Sequence, residues 1–269
     1  MNKFSAVSIC TICLYANSII FPIASWQEAA VACSIGFIFA LFLWSVYNLK
    51  IPLKHFSVIF ILMSANELII YSTTTKSFLA DNTVTILITS ISICIFLLYA
   101  GIKSMTYLAQ ILIWSIPLLF LLFIFALNGY KIEFSNDNDY FFTGLNNIFK
   151  FILPMILLMV LIRESKGTRN HFLAGISIGL VTVLLQGVIT SIFGSTIIKN
   201  QHPLLVCAKQ SGLPLEVILL GTITFAGIIK IAAYLIGAQT LLKKYKYKNL
   251  HILILFLATV AIIYLTTPT

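Results

Sequence analysis

Apolar runs recur almost without interruption from Phe4 to Leu265, and this pattern limits the fold more than any single motif does. Read against the polar breaks, the runs fall at about 5–23, 29–49, 55–74, 83–102, 106–127, 145–162, 172–193, 215–242 and 250–266. Each matches the roughly 20 apolar residues that a helix needs to cross a bilayer core, and each is too long for a barrel strand. Hydrocarbon offers no partner to a backbone N–H or C=O, so the segments must satisfy themselves as helices. At 60% hydrophobic and 9% charged, the chain lacks the polar side chains to cover so much apolar surface in water. The sequence therefore predicts an all-α polytopic membrane protein of about nine transmembrane helices. Residues 1–269 form a single integral membrane domain, with 1–127 as a first helical half and 128–269 as an incomplete second half. Phe4–Ala24 is preceded by a single basic residue, Lys3, and followed by further spans, so it reads as a retained helix rather than a signal peptide.

The charges between the spans set the orientation. Assigned to alternate sides, Lys3, Lys50, Lys54, Lys103, Arg163, Lys166, Arg169, Lys243, Lys244, Lys246 and Lys248 fall together. Only Lys76, Lys131, Lys199 and Lys209 fall opposite, and basic residues concentrate on the cytoplasmic side. The expectation is a multi-pass cell-membrane protein, N-terminus cytoplasmic and C-terminus outside. The net charge of +9 is accounted for by anchoring to an anionic inner surface, with no need of nucleic acid.

Other function classes lack a sequence basis. There is no Gly-rich phosphate loop, no HExxH, and no basic stripe interleaved with aromatics. Cys10 and Cys13 form a CxxC without neighbouring ligands, which reads as small-residue packing rather than metal or redox chemistry. No paired carboxylates or activated nucleophile are visible, so neither an enzyme nor a cofactor is expected.

Two segments combine polar side chains with a helix breaker. The first span carries Asn17-Ser-Ile-Ile-Phe21-Pro22, and the sixth carries Asn146, Asn147, Lys150 and then Pro154. Proline removes a donor and clashes with the preceding turn, freeing backbone carbonyls. Broken helices at corresponding places in two halves point to a transporter's central binding site, although ordinary proline kinks give the same pattern.

Two charges fall near the middle of spans. Glu67 lies on one helical face with Ser64 and Tyr71, and Lys230 is followed one turn later by Tyr234. Such a charge costs about 2.5–3.5 kcal/mol on insertion scales, so each should face protein or water. Glu67 reads either as a neutral carboxyl bonded between helices or as a proton-coupling or recognition group. Lys230 reads as a structural ion-pair partner, a gating residue or an ion surrogate, with Glu67 as a candidate counter-ion. The spacing leaves their contact open.

These residues give the chain a resemblance. Leu215-Glu216 with Phe225-Ala-Gly-Ile-Ile-Lys-Ile-Ala-Ala-Tyr234, supported by Ile19-Ile-Phe-Pro22, Tyr99-Ala-Gly-Ile-Lys-Ser-Met105 and His202-Pro203, resembles the B-subunit of spore-germination nutrient receptors. That family lies within the amino-acid/polyamine/organocation transporter superfamily. The resemblance implies a transporter-like inverted-repeat fold with discontinuous helices one and six, here lacking a final helix. It also implies binding of a small nutrient of the amino-acid class near the broken helices, partnership with germinant-receptor A and C subunits, and residence in the spore inner membrane. The ligand-binding or gating candidates are Asn17, Phe21, Pro22, Glu67, Tyr71, Asn147, Pro154, Lys230 and Tyr234. The competing expectations are a proton- or sodium-coupled amino-acid transporter and a ligand-free membrane assembly subunit.

Overall fold

The computed structural model describes residues 3–20, 26–47, 55–79, 83–117, 121, 124, 140–164, 168–192, 215–242 and 248–266. They form eight α-helices, α1 (Lys3–Ile20), α2 (Trp26–Tyr47), α3 (Phe56–Leu79), α4 (Thr83–Leu112), α5 (Tyr140–Glu164), α6 (Arg169–Ile192), α7 (Leu215–Leu241) and α8 (Lys248–Thr266), with a 3-10 turn at Ile113–Ser115 after α4. Six are long and apolar enough to cross a membrane, and α1 and α5 contain shorter apolar stretches at Val7–Ala16 and Phe151–Arg163. The chain is thus an all-helical membrane protein.

Hydroxyl side chains within these helices bond to their own backbone. Ser72 donates to the Leu68 carbonyl at 2.8 Å, Thr75 to Tyr71 at 2.7 Å and Thr259 to Leu255 at 2.8 Å. This bond one turn back satisfies the hydroxyl proton where water is absent, and so admits Ser and Thr into otherwise apolar spans. α6 starts at a polar cap: the Thr168 carbonyl accepts from His171 and Phe172, and the Thr168 N–H reaches back to His171 Nδ1 at 3.1 Å. Glu28 in the first turn of α2 places a negative charge at the positive end of that helix.

α4 is two helices in sequence. Its apolar stretch Thr83–Ser115 spans 33 residues, about 50 Å at 1.5 Å per residue, against a hydrocarbon core of about 30 Å. At Gly101 the backbone leaves the helix with φ 79° and ψ −177°, a conformation essentially confined to glycine. A Cβ at Gly101 would meet nothing within 4 Å, so the glycine serves the backbone turn and not close packing. The expected boundary between spans at 102 and 106 lies beside this break.

α7 is the central post of the bundle, packed on α1, α3, α4 and α5. In its membrane-length window 78% of the residues are buried, against 22% for α8, which places α8 on the periphery. A helix apolar on every side suits a bundle interior.

The side-chain contacts give the helices their directions. Cys10 meets Gly175, and Leu14 meets Gly179, so α1 and α6 run parallel. Trp26 N–H donates to Ser191 at 2.8 Å, Cys33 to the Leu180 carbonyl at 3.1 Å, and the Trp44 ring sits 5.6 Å from Phe172, so α2 and α6 run antiparallel. Cys94 faces the Ile228 carbonyl and Gln239 donates to the Leu98 carbonyl, so α4 and α7 run parallel.

α5 differs from expectation. Its helix continues through Pro154 without a break in the described backbone. Pro154 is buried, with Met155 beside it against Gly36 of α2, so tertiary packing holds the segment helical despite the missing donor. In the first span, α1 is helical to Ile20, while Phe21 and Pro22 lie outside the described residues. The connections at 128–139 and 193–214 also lie outside them.

Candidate functional site

α3 and α7 meet along an antiparallel seam built by residues 60, 64, 67 and 71. Alternating steps of four and three keep these residues on one helical face. The Phe60 ring packs 5.9 Å from that of Tyr234, Ser64 donates to the Ile231 carbonyl at 3.3 Å, and the Tyr71 ring covers Gly227. As the α3 number rises the α7 number falls. A Cβ at Gly227 would lie 2.6 Å from the Tyr71 ring, so glycine there is what admits the tyrosine.

Glu67 and Lys230 face each other within this seam. Lys230 Nζ donates to Glu67 Oε1 at 2.7 Å, with the side chains 0% and 3% exposed. The contact that spacing alone left open is therefore made. At this separation the attraction is about 6 kcal/mol for an effective dielectric near 20, set against several kcal/mol of desolvation for each ion. The pair thus comes close to balancing its own burial, and its value lies in fixing α3 against α7.

The surroundings are polar in a specific way. Glu67 Oε2 and the Tyr234 hydroxyl are buried and have no hydrogen-bond partner among the described residues. Tyr234 is fully buried one turn of α7 beyond Lys230. α1 packs on both α7 and α3, so three helices converge here. A half-satisfied carboxylate and an unpartnered phenol, both buried on α3 and α7, can each hold a water or a donor group from a small molecule.

The other candidates divide. Tyr71, 2% exposed, and Tyr234 belong to the seam, and buried Pro154 lies in α5 rather than in the α3/α7 contact. Asn17 lies on α1 and Asn147 on α5 by backbone, but their side chains, like Phe21 and Pro22, fall outside the described residues. Cys13 and Glu28, both buried, were not singled out from sequence as site residues. Cys13 carries no signal of its own in a run of apolar residues. Glu28, 3% exposed, had one available signal, an acid in the first turn of a membrane helix. Among the described residues no group of three His, Cys, Asp or Glu side chains is placed to hold a metal ion.

No protein-family model, curated protein or solved structure matches the chain.

Proposed function

We propose that this chain is a non-enzymatic membrane receptor subunit that binds a small nutrient of the amino-acid class and triggers spore germination through A-type and C-type partner subunits. The observation that carries this reading is the buried Glu67–Lys230 pair at the convergence of α1, α3 and α7, the position that the resemblance gives to its mid-helix lysine.

The arrangement of helices supports an inverted repeat with nine crossings. Parallel helices in a membrane are separated by an odd number of intervening crossings. α4 before Gly101 runs parallel to α7, and only α5 and α6 are otherwise placed between them. A crossing by the segment after Gly101 would supply the odd number and bring the count to nine. Exchanging α1 with α5, α2 with α6, α3 with α7 and the first part of α4 with α8 maps several contacts onto one another, although the packing of α1 on α7 and on α4 has no counterpart of like extent. The α1/α6 contact goes to α5/α2, α4/α7 to α8/α3, and α3/α4 to α7/α8, while α2/α6 and α3/α7 map onto themselves. These two self-mapped pairs are both antiparallel, as a two-fold axis in the membrane plane requires.

The free second oxygen of Glu67 and the unpartnered Tyr234 hydroxyl favour a second reading, a proton- or sodium-coupled amino-acid transporter. Binding of radiolabelled amino acids to the purified receptor complex, with flux into proteoliposomes measured in parallel, separates the two. The receptor reading expects saturable binding without flux, lost in Lys230→Met together with germination. Gradient-driven uptake would replace it with the transporter. Absence of both, in a correctly inserted protein that still supports germination, leaves a ligand-free assembly subunit.

A further inference from the structure

A second recess lies between α3, α4 and α7, one helical turn from the ion pair. It encloses about 210 Å³ and is lined by Tyr71, Thr75, Thr85, Ile86, Thr89, Ser90, Ile93, Thr224, Phe225 and Ile228. Six of those ten carry a hydroxyl, and none carries a charge.

The hydrogen-bond geometry makes the recess rich in acceptors. Thr75 donates to the Tyr71 carbonyl at 2.7 Å, Thr89 to Thr85 at 2.8 Å and Thr224 to Leu220 at 2.8 Å. Each proton is thereby committed to the helix backbone, and what these oxygens present to the recess is lone pairs. The Tyr71 hydroxyl shares the lining with Thr75, Ser90 and Thr224, and its one proton can serve only one of them. A guest that carries a donor is therefore matched by the oxygens of Thr75, Thr89 and Thr224. The rest of the lining, Ile86, Ile93, Phe225 and Ile228, is apolar and accepts a hydrocarbon body.

Size and position narrow the guest further. A dry cavity of about 150 Å³ takes a benzene molecule, so this recess suits a single ring or a short branched chain. Its mouth is flanked by Thr85, Thr89 and Phe225, which are exposed on the outside of the helices beside exposed Val84 and Ile88. That apolar flank is a surface for lipid. Thr224 lies nine residues from the start of α7 at Leu215, about 14 Å along the helix and so within the depth of one leaflet.

We infer that this recess is a binding site for a small uncharged amphiphile, one hydroxyl or equivalent donor on an apolar body, which enters sideways from the bilayer. The site is separate from the nutrient reading and stands whether or not that reading holds. Through Tyr71, whose ring covers Gly227, an occupant bears directly on the seam that contains the ion pair.

The test uses the full chain in lipid nanodiscs and a diazirine analogue of benzyl alcohol as the probe. Saturable photolabelling is expected on peptides covering 71–93 and 224–228, displaced by benzyl alcohol roughly five- to ten-fold more effectively than by toluene, the ratio that one hydrogen bond supplies. Thr89→Trp should block the mouth and abolish labelling. Thr224→Val, which keeps shape and removes one acceptor, should bring the two competitors closer together and leave the thermal midpoint within a few degrees. Non-saturable labelling spread over the lipid-facing helices would overturn the proposal. So would equal competition by benzyl alcohol and toluene in the unmodified chain, the sign of a water-filled or merely apolar slot. If Thr89→Trp fails to fold, the Thr224→Val competition ratio decides alone.

Discussion

Removing one half of the Glu67–Lys230 pair should cost far more than removing both. The two side chains are 2.7 Å apart and 0% and 3% exposed, so Lys230→Met leaves a carboxylate that can neither reach water nor find a replacement cation nearby. Such half-removed pairs lose about 3–5 kcal/mol. The double variant Glu67→Gln with Lys230→Met deletes both charges and both desolvation costs, and should lie within about 1 kcal/mol of the parent. The coupling energy is then about 5 kcal/mol or more in magnitude, well above the roughly 0.6 kcal/mol average for neutral interhelical hydrogen bonds in membranes. Cys10, Cys13 and Cys94 are buried free thiols, so a fluorogenic maleimide reports the opening of the bundle during a thermal or detergent titration of the purified protein. Additive losses in the double variant, or single variants as stable as the parent, would refute the claim that the pair is coupled and buried as a unit.

Three further outcomes follow from close contacts and backbone geometry. Gly175→Ala places a Cβ 2.5 Å from Cys10 Cβ and 3.3 Å from the Val7 backbone, so it should lower stability by about 1–3 kcal/mol. Cys10→Ala keeps the clashing atom and should not rescue it, whereas Cys10→Gly should do so in part, as read by the same unfolding titration. Gly101→Ala, although a Cβ there meets no neighbour within 4 Å, should lose about 1–3 kcal/mol because φ is 79° and ψ −177°. A melting midpoint unchanged by that substitution would place the origin of the break elsewhere. The proposed nine crossings require reporter fusions after residues 103 and 248 to report the same side and a fusion at 131 the other. Matching reports from 103 and 131 would remove the crossing after Gly101.

The extent to which the sequence announced this structure depended on the kind of signal. Membrane helices were legible because length and hydropathy are local properties. α2, α3, α6, α7 and α8 fall within a few residues of the expected spans. The face formed by Ser64, Glu67 and Tyr71 was legible for the same reason, since spacing on one helix fixes a face. Pairing was not, because Lys230 lies 163 residues from Glu67 and nothing local to either encodes the register of α3 against α7. Pro154 misled because proline's tendency to break a helix is a local preference, and the packing of Met155 on Gly36 outweighs it. The hydroxyl recess was hidden for a different reason. Thr75, Thr89 and Thr224 each satisfy their protons on their own helices, so only the meeting of three helices shows which oxygens face a common space.

The separation of 163 residues between Glu67 and Lys230 also sets a timetable for biogenesis. A ribosome adding about 5–20 residues per second delivers Lys230 some ten to thirty seconds after Glu67. During that interval α3 has left the ribosome and its acidic residue has no permanent cation to face. α3 must therefore insert before its counter-charge exists, and the central post arrives well after it. The nascent bundle cannot close around α7 until Leu215–Leu241 has been made, so truncations before Leu215 should leave an open, protease-sensitive set of helices rather than a smaller stable core.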